Sequence, residues 1–542
     1  MKNVLANARS SSSSSASRDA VPNRDEDVLD AEARDPNWLT GTPYSDTYRM
    51  WAAKWRELPM YKDKNKLREL RRALSHNPVT IVISGTGSGK TVIIPKIALR
   101  YAEDRRSERA LQDLIARNDA SNGNGNSNGM AVRPSMTKRG GKNKVVITNP
   151  KKSIAEYNAR FAAQTLDVET GFEVGYAYRG SISSSHGKDT RLLFTTDGYL
   201  VAHSRDDPLF SDYSVIMIDE AHERTVYIDT LLFMLRRAVL ARPHDLRVVI
   251  MSATIDPALF TEYFRRESVP TALVEVSGVT NKPVESVFVP PDTASDADYL
   301  KGPGMKALAA ALTRTAPGEN VLFFVPTARD AEKGCKETAN ACRSGRLPGS
   351  CSSLLCSTLY AKMPEERQME ARSQDVAPPN DRKIIFATNI AESSLTLASL
   401  IVVIDSGLEL ESVWLPEYHC QRMQRVMSTQ AQMLQRKGRV GRTKPGVCYH
   451  LYTEEAMRKR PLYPDPSIVT VDLTDDILTM TKTEKSLYAA CADFAHFITP
   501  PTVAQVVSAV SVLTFHRAVV VHVANAAQTS EKKDGPIRGS HF

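Results

Sequence analysis

Runs of β-branched and aliphatic residues recur along this chain, and each ends abruptly in small, hydroxyl or acidic residues. Residues 79–83 (VTIVI) give way to Ser84 and Gly85, 145–147 to Thr148-Asn149-Pro150-Lys151-Lys152, and 192–194 to Thr195-Thr196-Asp197-Gly198. Residues 215–218 give way to Asp219-Glu220-Ala221-His222, and 248–251 to Ser252-Ala253-Thr254. Apolar runs without alternation, bounded by turn residues, are what strands buried on both faces of a parallel sheet require. The carboxyl ends of such strands form the ligand edge of an open α/β sheet. A first domain is therefore expected over about 45–270. The pattern returns at 320–325, 383–388 and 400–405, ending in Pro326-Thr327, Thr388-Asn389 and Asp405-Ser406, and predicts a second domain over 271–455. Helical spacing covers 46–76, with Trp51, Trp55, Leu58, Leu67, Leu70 and Leu74 as its apolar positions, and resumes from Thr91 to about residue 105. From 456 to 515 the pattern is mainly helical. The expected fold is α/β: two tandem parallel-sheet domains followed by a small, mainly helical C-terminal region.

Three stretches break this pattern. Residues 1–44 carry a serine run and then turn acidic, the composition of a disordered tail. Residues 118–144 are rich in Asn, Gly and Ser and finish basic, as a flexible surface insertion would. Residues 516–542 have no clear period and stay unassigned. A chain of 542 residues exceeds one core, in keeping with several domains. Its balance of +8 suits a polyanionic partner without separating RNA from DNA. Seven cysteines, odd in number, read as reduced thiols; four lie between 335 and 356 without a CxxC pair. No apolar run approaches the ~20 residues of a membrane span, so no membrane partner is expected, and the compartment is intracellular, nucleus or cytoplasm.

The chemistry concentrates at the strand ends. Ser84-Gly85-Thr86-Gly87-Ser88-Gly89-Lys90-Thr91 joins a strand to a helix. Gly85, Thr86, Gly87, Ser88 and Gly89 would offer backbone N–H groups to phosphate oxygens, at the positive end of the following helix. Lys90 would reach the β/γ-phosphates and the Thr91 hydroxyl would ligate Mg²⁺. The strict pattern asks for glycine where Ser84 stands. Arg56 to Tyr61 packs beside this pocket or simply caps the domain. Asp219 is placed to hold Mg²⁺, and Glu220 to hold it and to orient or deprotonate the attacking water. In Gln435-Arg436-Lys437-Gly438-Arg439-Val440-Gly441-Arg442, Arg439 and Arg442 lie three apart, on one face of a helix start. Gln435, one turn earlier, can reach the water or His222. Docking of the second domain on the first would make the two arginines fingers on the γ-phosphate. Thr148, Thr196, Thr388 and Asn389, with Lys151 for charge, suit hydrogen bonds to a sugar–phosphate backbone and would read few bases.

Taken together, GTGSGKT, TNPKKSIA, TTDG, DEAH with Glu223-Arg224, SAT, ATNIAESSLT and QRKGRVGR occur in the order of the DEAH-box (DEAH/RHA) branch of superfamily 2 RNA helicases, which the chain resembles from about 56 to 515. The resemblance implies two RecA-like domains, ATP or another NTP with Mg²⁺, and movement along single-stranded or partly duplex RNA, with protein activators. It implies that His222, Ser252 and Thr254 couple hydrolysis to closure and that Arg160 stacks on the nucleobase. The family's aromatic on the other side of the base falls near Ala371 here. Residues 408–427 fall where the family has a strand-separating hairpin, and the C-terminal region where it has a winged helix. Two alternatives remain: a compact viral-type superfamily 2 helicase, and a nucleotide-dependent RNA clamp that separates no strands.

Overall fold

The computed structural model describes residues 36–85, 87–122, 143–180, 186–187, 189–276, 282–290, 299–348, 353–373, 380, 382–394, 399–441, 444–484 and 486–519. The tail before 36, most of the basic insertion, and the end after 519 lie outside them.

Each apolar run became a strand. The first sheet holds β1 (Val79–Ser84), β2 (Lys144–Asn149), β3 (Val174–Ala177), β4 (Leu192–Thr196), β5 (Tyr213–Ile218), β6 (Arg247–Ser252) and β7 (Thr271–Val276). All pairings are parallel, in the order β3-β4-β2-β5-β6-β1-β7. β7 pairs with β1 along its length, so this sheet continues past residue 270. Its central strands β5 and β6 are fully buried, and β1 nearly so, because helices cover both faces, which removes any pressure for alternation. The helices Asp46–Arg56 and Lys64–His76 bury Trp55, Leu67 and Leu70 against one face. The helix after β1 runs from Lys90 to Asn122, well beyond residue 105, so its distal turns extend into the stretch expected as insertion.

The second sheet is built from β8 (Val284–Phe288), β9 (Asn320–Phe324), β10 (Leu354–Leu359), β11 (Arg382–Ala387), β12 (Leu400–Asp405) and β15 (Gly446–His450), in the order β10-β11-β9-β12-β15-β8 and parallel throughout. Between β12 and β15 the chain makes an antiparallel hairpin, β13 (Leu408–Leu415) and β14 (Cys420–Met427), where a hairpin was expected. Among the described residues the C-terminal region is helical, with Thr474–Glu484, Leu487–Asp493 and Val503–Phe515, and no strand follows β15. It packs on the first domain: Phe497 stacks on Phe233 at 5.0 Å, and Arg237 pairs with Glu484 at 3.1 Å.

One expectation is overturned. Cys335 and Cys356 form a disulfide, and Cys342 is disulfide-bonded as well, so these are not reduced thiols; Cys420, Cys448 and Cys491 are free. The helix Ala328–Arg343 lies against β10, which brings Cα atoms 21 residues apart in sequence to 5.7 Å. An odd, unspaced set of cysteines carries no sign of that proximity.

Candidate active site

β1 delivers the chain to the phosphate loop and the helix starting at Lys90 takes it away. Gly89 has φ +96°, and a Cβ there would come within 2.8 Å of Leu58 Cδ1, so only glycine fits. The Met60 N–H donates to Ser88 O at 3.0 Å. The segment around Leu58 therefore clamps the loop from outside, as one of the two sequence readings had it.

Because β5, β6 and β1 are consecutive in the sheet, their ends deliver Asp219 and Glu220, then Ser252, then the loop, to one place. Lys90 Nζ lies 3.2 Å from Asp219 Oδ1 and 2.9 Å from Glu220 Oε2. Glu220 sits in the left-handed region at φ +53°, a conformation that costs a non-glycine residue about 1 kcal/mol or more and recurs at functional sites. His222 Nδ1 is 3.4 Å from Glu220 Oε2 and 3.2 Å from Ser252 Oγ, which also accepts the Thr254 N–H at 3.2 Å. Thr254 Oγ1 accepts in turn from Gln435 Nε2 of the second domain at 2.9 Å. Arg439, 5 % exposed, lines the same cleft of about 410 Å³ as Lys90, Thr91, Asp219, Glu220, His222 and Gln435.

The charges in this cleft are mutually set. Burial disfavours the Lys90 ammonium, but the Asp219 and Glu220 carboxylates outweigh it and its pKa is raised. Burial lifts Asp219 to about 6 against the pull of Lys90. Burial acts on Glu220 in the same sense, yet Lys90, His222 and Arg439 hold it below the usual carboxylate value. Burial, with Lys90 and Arg439, lowers His222. Near pH 7 the cleft thus holds a charged lysine, an ionised Glu220 and a neutral histidine.

A second group went unremarked in the sequence. Arg436, 1 % exposed, donates from Nε to Glu392 Oε1 at 2.7 Å and from Nη1 to Asp405 Oδ1 at 2.9 Å. Asp405 Oδ2 accepts from the Tyr452 hydroxyl at 2.8 Å, and Tyr452 meets His450 Nδ1 at the same distance. This buried chain fixes the helix Gln430–Lys437, which presents Gln435 to Thr254. Arg224 does comparable work in the first domain: its guanidinium grips Asp229 at 2.7 and 2.9 Å and Thr499 of the C-terminal region at 2.8 Å. Both arginines stand inside the quoted motifs, and nothing but their fixed place there marked them.

Other expected residues divide. Thr86 and Arg442 lie outside the described residues. Lys151 and Asn389 line a second interdomain cleft of about 680 Å³, together with Glu223, Thr254, Arg372 and Gln432. Thr148 is fully buried in β2 and its hydroxyl is closed to a bound strand. Thr196 and Thr388 are half-buried at their strand ends and outside the lining of that cleft. Arg160 stands outside the lining of the first cleft. It is exposed and paired with Glu156 at 2.8 Å, one helical step away from the face of Lys152–Leu166 that lines the nucleotide cleft. That face carries Ile154, Tyr157, Asn158 and Phe161 instead.

One cleft shared between two parallel-sheet lobes defines the class of the molecule, a two-lobed P-loop NTPase of RecA-like domains. Residues 68–260 match the family model described as DEAD/DEAH box helicase, and 304–444 match the helicase conserved C-terminal domain. The chain belongs to the DEAH-box branch of the superfamily 2 RNA helicases. It is 35 % identical over 456 residues to a protein of Acanthamoeba polyphaga mimivirus that carries the name ATP-dependent RNA helicase, covering 83 % of this chain and 57 % of that one. It is 31 % identical over 469 residues to the pre-mRNA-splicing factor ATP-dependent RNA helicase prp22 of Schizosaccharomyces pombe, covering 84 % and 35 %. The crystal structure of the E. coli DExH-box NTPase HrpB superposes with a TM-score of 0.64 at 26 % identity, covering 86 % of this chain and 49 % of that one. The chain spans about half the length of the relatives it matches.

Proposed function

We propose that this chain is an NTP-dependent RNA helicase or translocase whose hydrolysis is completed by closure of the second domain. The observation that carries the reading is the Gln435–Thr254 hydrogen bond, which seats Arg439 in the cleft of Lys90 and Glu220. Lys90 and the loop N–H groups bind the β/γ-phosphates. The ionised Glu220 accepts the proton of the attacking water, and neutral His222 holds the Glu220 side chain against Ser252. Arg439 supplies positive charge where it develops on the γ-phosphate. The Thr91 hydroxyl and the Asp219 carboxylate are the hard oxygen donors Mg²⁺ takes, and the Lys90 ammonium between the carboxylates marks a place built for positive charge. When bound, the metal would supply positive charge against the phosphates. Lys151 and Asn389 in the second cleft are placed to meet an RNA backbone.

The test is hydrolysis of ATP and GTP with and without single-stranded RNA or DNA. Lys90→Ala is expected to abolish RNA-stimulated turnover, and Glu220→Gln to lower kcat about 10²–10⁴-fold. Turnover of both variants at the parent rate would remove the assignment. A clamp that hydrolyses NTP without separating strands is the second reading. A duplex with a 3′ overhang separates the two, since hydrolysis without strand displacement would leave the clamp.

A further inference from the structure

β2 ends in a side chain whose chemistry the hydrolysis scheme leaves unused. Along this strand Val145 and Ile147 face the core beneath the helices Lys90–Asn122 and Lys152–Leu166, while Val146 faces the other side of the sheet. The alternation puts Asn149 on the first of these faces, one step beyond the core and at the ligand edge. There it lines the nucleotide cleft with Pro150, Lys90 and Asp219. The strand ladder sets it beside Asp219: Thr148 pairs with Ile218, the Asp219 N–H donates to Thr148 O at 3.3 Å, and Asn149 and Asp219 are the next residue of each strand. Asn149 is fully buried, yet neither its Oδ1 nor its Nδ2 has a hydrogen-bond partner among the described residues. A primary amide can make up to four hydrogen bonds, and one buried with none costs free energy that folded proteins rarely bear without a use. Ser84 and Thr195, near the ends of β1 and β4, are also buried without a partner but stand outside the cleft lining. Lys90 closes the space in front of Asp219, its ammonium held against the carboxylates of Asp219 and Glu220.

We propose that Asn149 is a further ligand-binding residue of this site, whose Oδ1 accepts a hydrogen bond from a water in the shell of the Mg²⁺ carried by the bound triphosphate, while Nδ2 donates to an adjoining water. This rests on the NTPase reading above. A triphosphate draws the Lys90 ammonium onto its phosphates, and the space beside Asp219 then opens to the cation and its waters. Mg²⁺ sheds water reluctantly and keeps several waters when few carboxylates hold it, so an amide beside Asp219 finds there the partners it lacks without ligand. Being neutral, it orients that shell without adding to the charge of two neighbouring carboxylates.

Isothermal titration of the full chain with the non-hydrolysable analogue AMP-PNP, in Mg²⁺ and in EDTA, tests this beside thermal unfolding without ligand. Asn149→Leu, close in volume and unable to hydrogen-bond, is expected to weaken AMP-PNP binding about tenfold in Mg²⁺ and by less than about twofold in EDTA. Its melting temperature without ligand stays at or above the parent's, because no existing hydrogen bond is lost. Asn149→Ala, smaller rather than isosteric, shows the same Mg²⁺-specific loss. Parent affinity of both variants in Mg²⁺ would overturn the proposal, and so would an equal loss in EDTA, which would put the contact on the nucleotide rather than on the metal's water. A clear drop in the melting temperature of Asn149→Leu would also overturn it, since the amide would then already be bonded in the ligand-free fold. A parent that binds no AMP-PNP under either condition would instead remove the NTPase reading, and the proposal with it.

Discussion

Lys96 shows how a single buried side chain ties stability to pH. It faces inward from the helix Lys90–Asn122, 3 % exposed, and its ammonium donates to Thr165 O and Thr165 Oγ1, both at 2.8 Å. Two neutral acceptors do not replace the water it has lost, and burial pushes its pKa down to about 7. Between about pH 7 and the ordinary lysine value the unfolded chain keeps a proton that the folded chain has shed, so stability rises with pH over that window. Below about 7 both states hold the proton and the burial cost is constant. The parent should therefore gain about 1.4 kcal/mol per pH unit on Lys96→Met between pH 7.5 and 9.5, read from denaturant unfolding of the two side by side. Equal pH slopes would show Lys96 to be hydrated. Glu220, by contrast, holds backbone strain at φ +53° in the turn between Asp219 and His222.

Single elements are held by devices of very different visibility. The helix Gln430–Lys437 opens with a capping box, Thr429 and Gln432, which is readable in the sequence. Its Arg436 clamp to Glu392 and Asp405 is not, because the partners lie 44 and 31 residues away. Arg436→Met would leave two buried carboxylates facing each other and should cost about 3–5 kcal/mol in urea unfolding, with Arg436→Lys recovering only part. The disulfide from the helix Ala328–Arg343 to β10 staples an edge strand of the second sheet. Peptides containing Cys335 and Cys356 should be recovered linked when digested without reductant. Cys335→Ser should lose about 3 kcal/mol, the loop-closure term for a loop of this size.

Across the whole molecule, the C-terminal region is fastened to the first domain and also touches the hairpin of the second. Arg224 and Arg237 hold it below, Trp414 N donates to Thr470 O at 2.8 Å, and His419 meets Ser508 at 2.9 Å at the hairpin tip. The two sheets thus meet through the Gln435–Thr254 bond on one side and through this region on the other. Removing the first link should uncouple the lobes: Gln435→Ala is expected to lose most of the RNA stimulation of hydrolysis while keeping nucleotide binding, measured as the ratio of stimulated to basal rate. An unchanged ratio would show that closure does not run through this bond.

Most of the central strands and the chemistry at their ends were legible because both are local: a buried parallel strand needs an unbroken apolar run, and a phosphate loop needs glycines at fixed spacing. For the same reason Lys90, Asp219, Glu220, Gln435 and Arg439 could be named without a fold, and the structure gathers them in one cleft. What the chain does not spell out is which side of a helix faces the ligand when neighbouring residues differ by one step. Arg160 and Phe161 are adjacent in sequence, yet packing against Trp51 turns Phe161 inward and leaves Arg160 paired with Glu156 in solvent. Thr148 disappears into β2, and cysteines 21 residues apart meet, by the same cause. Contacts between distant segments depend on how helices roll and dock on the sheets, and close packing fixes that roll only once the whole core has assembled.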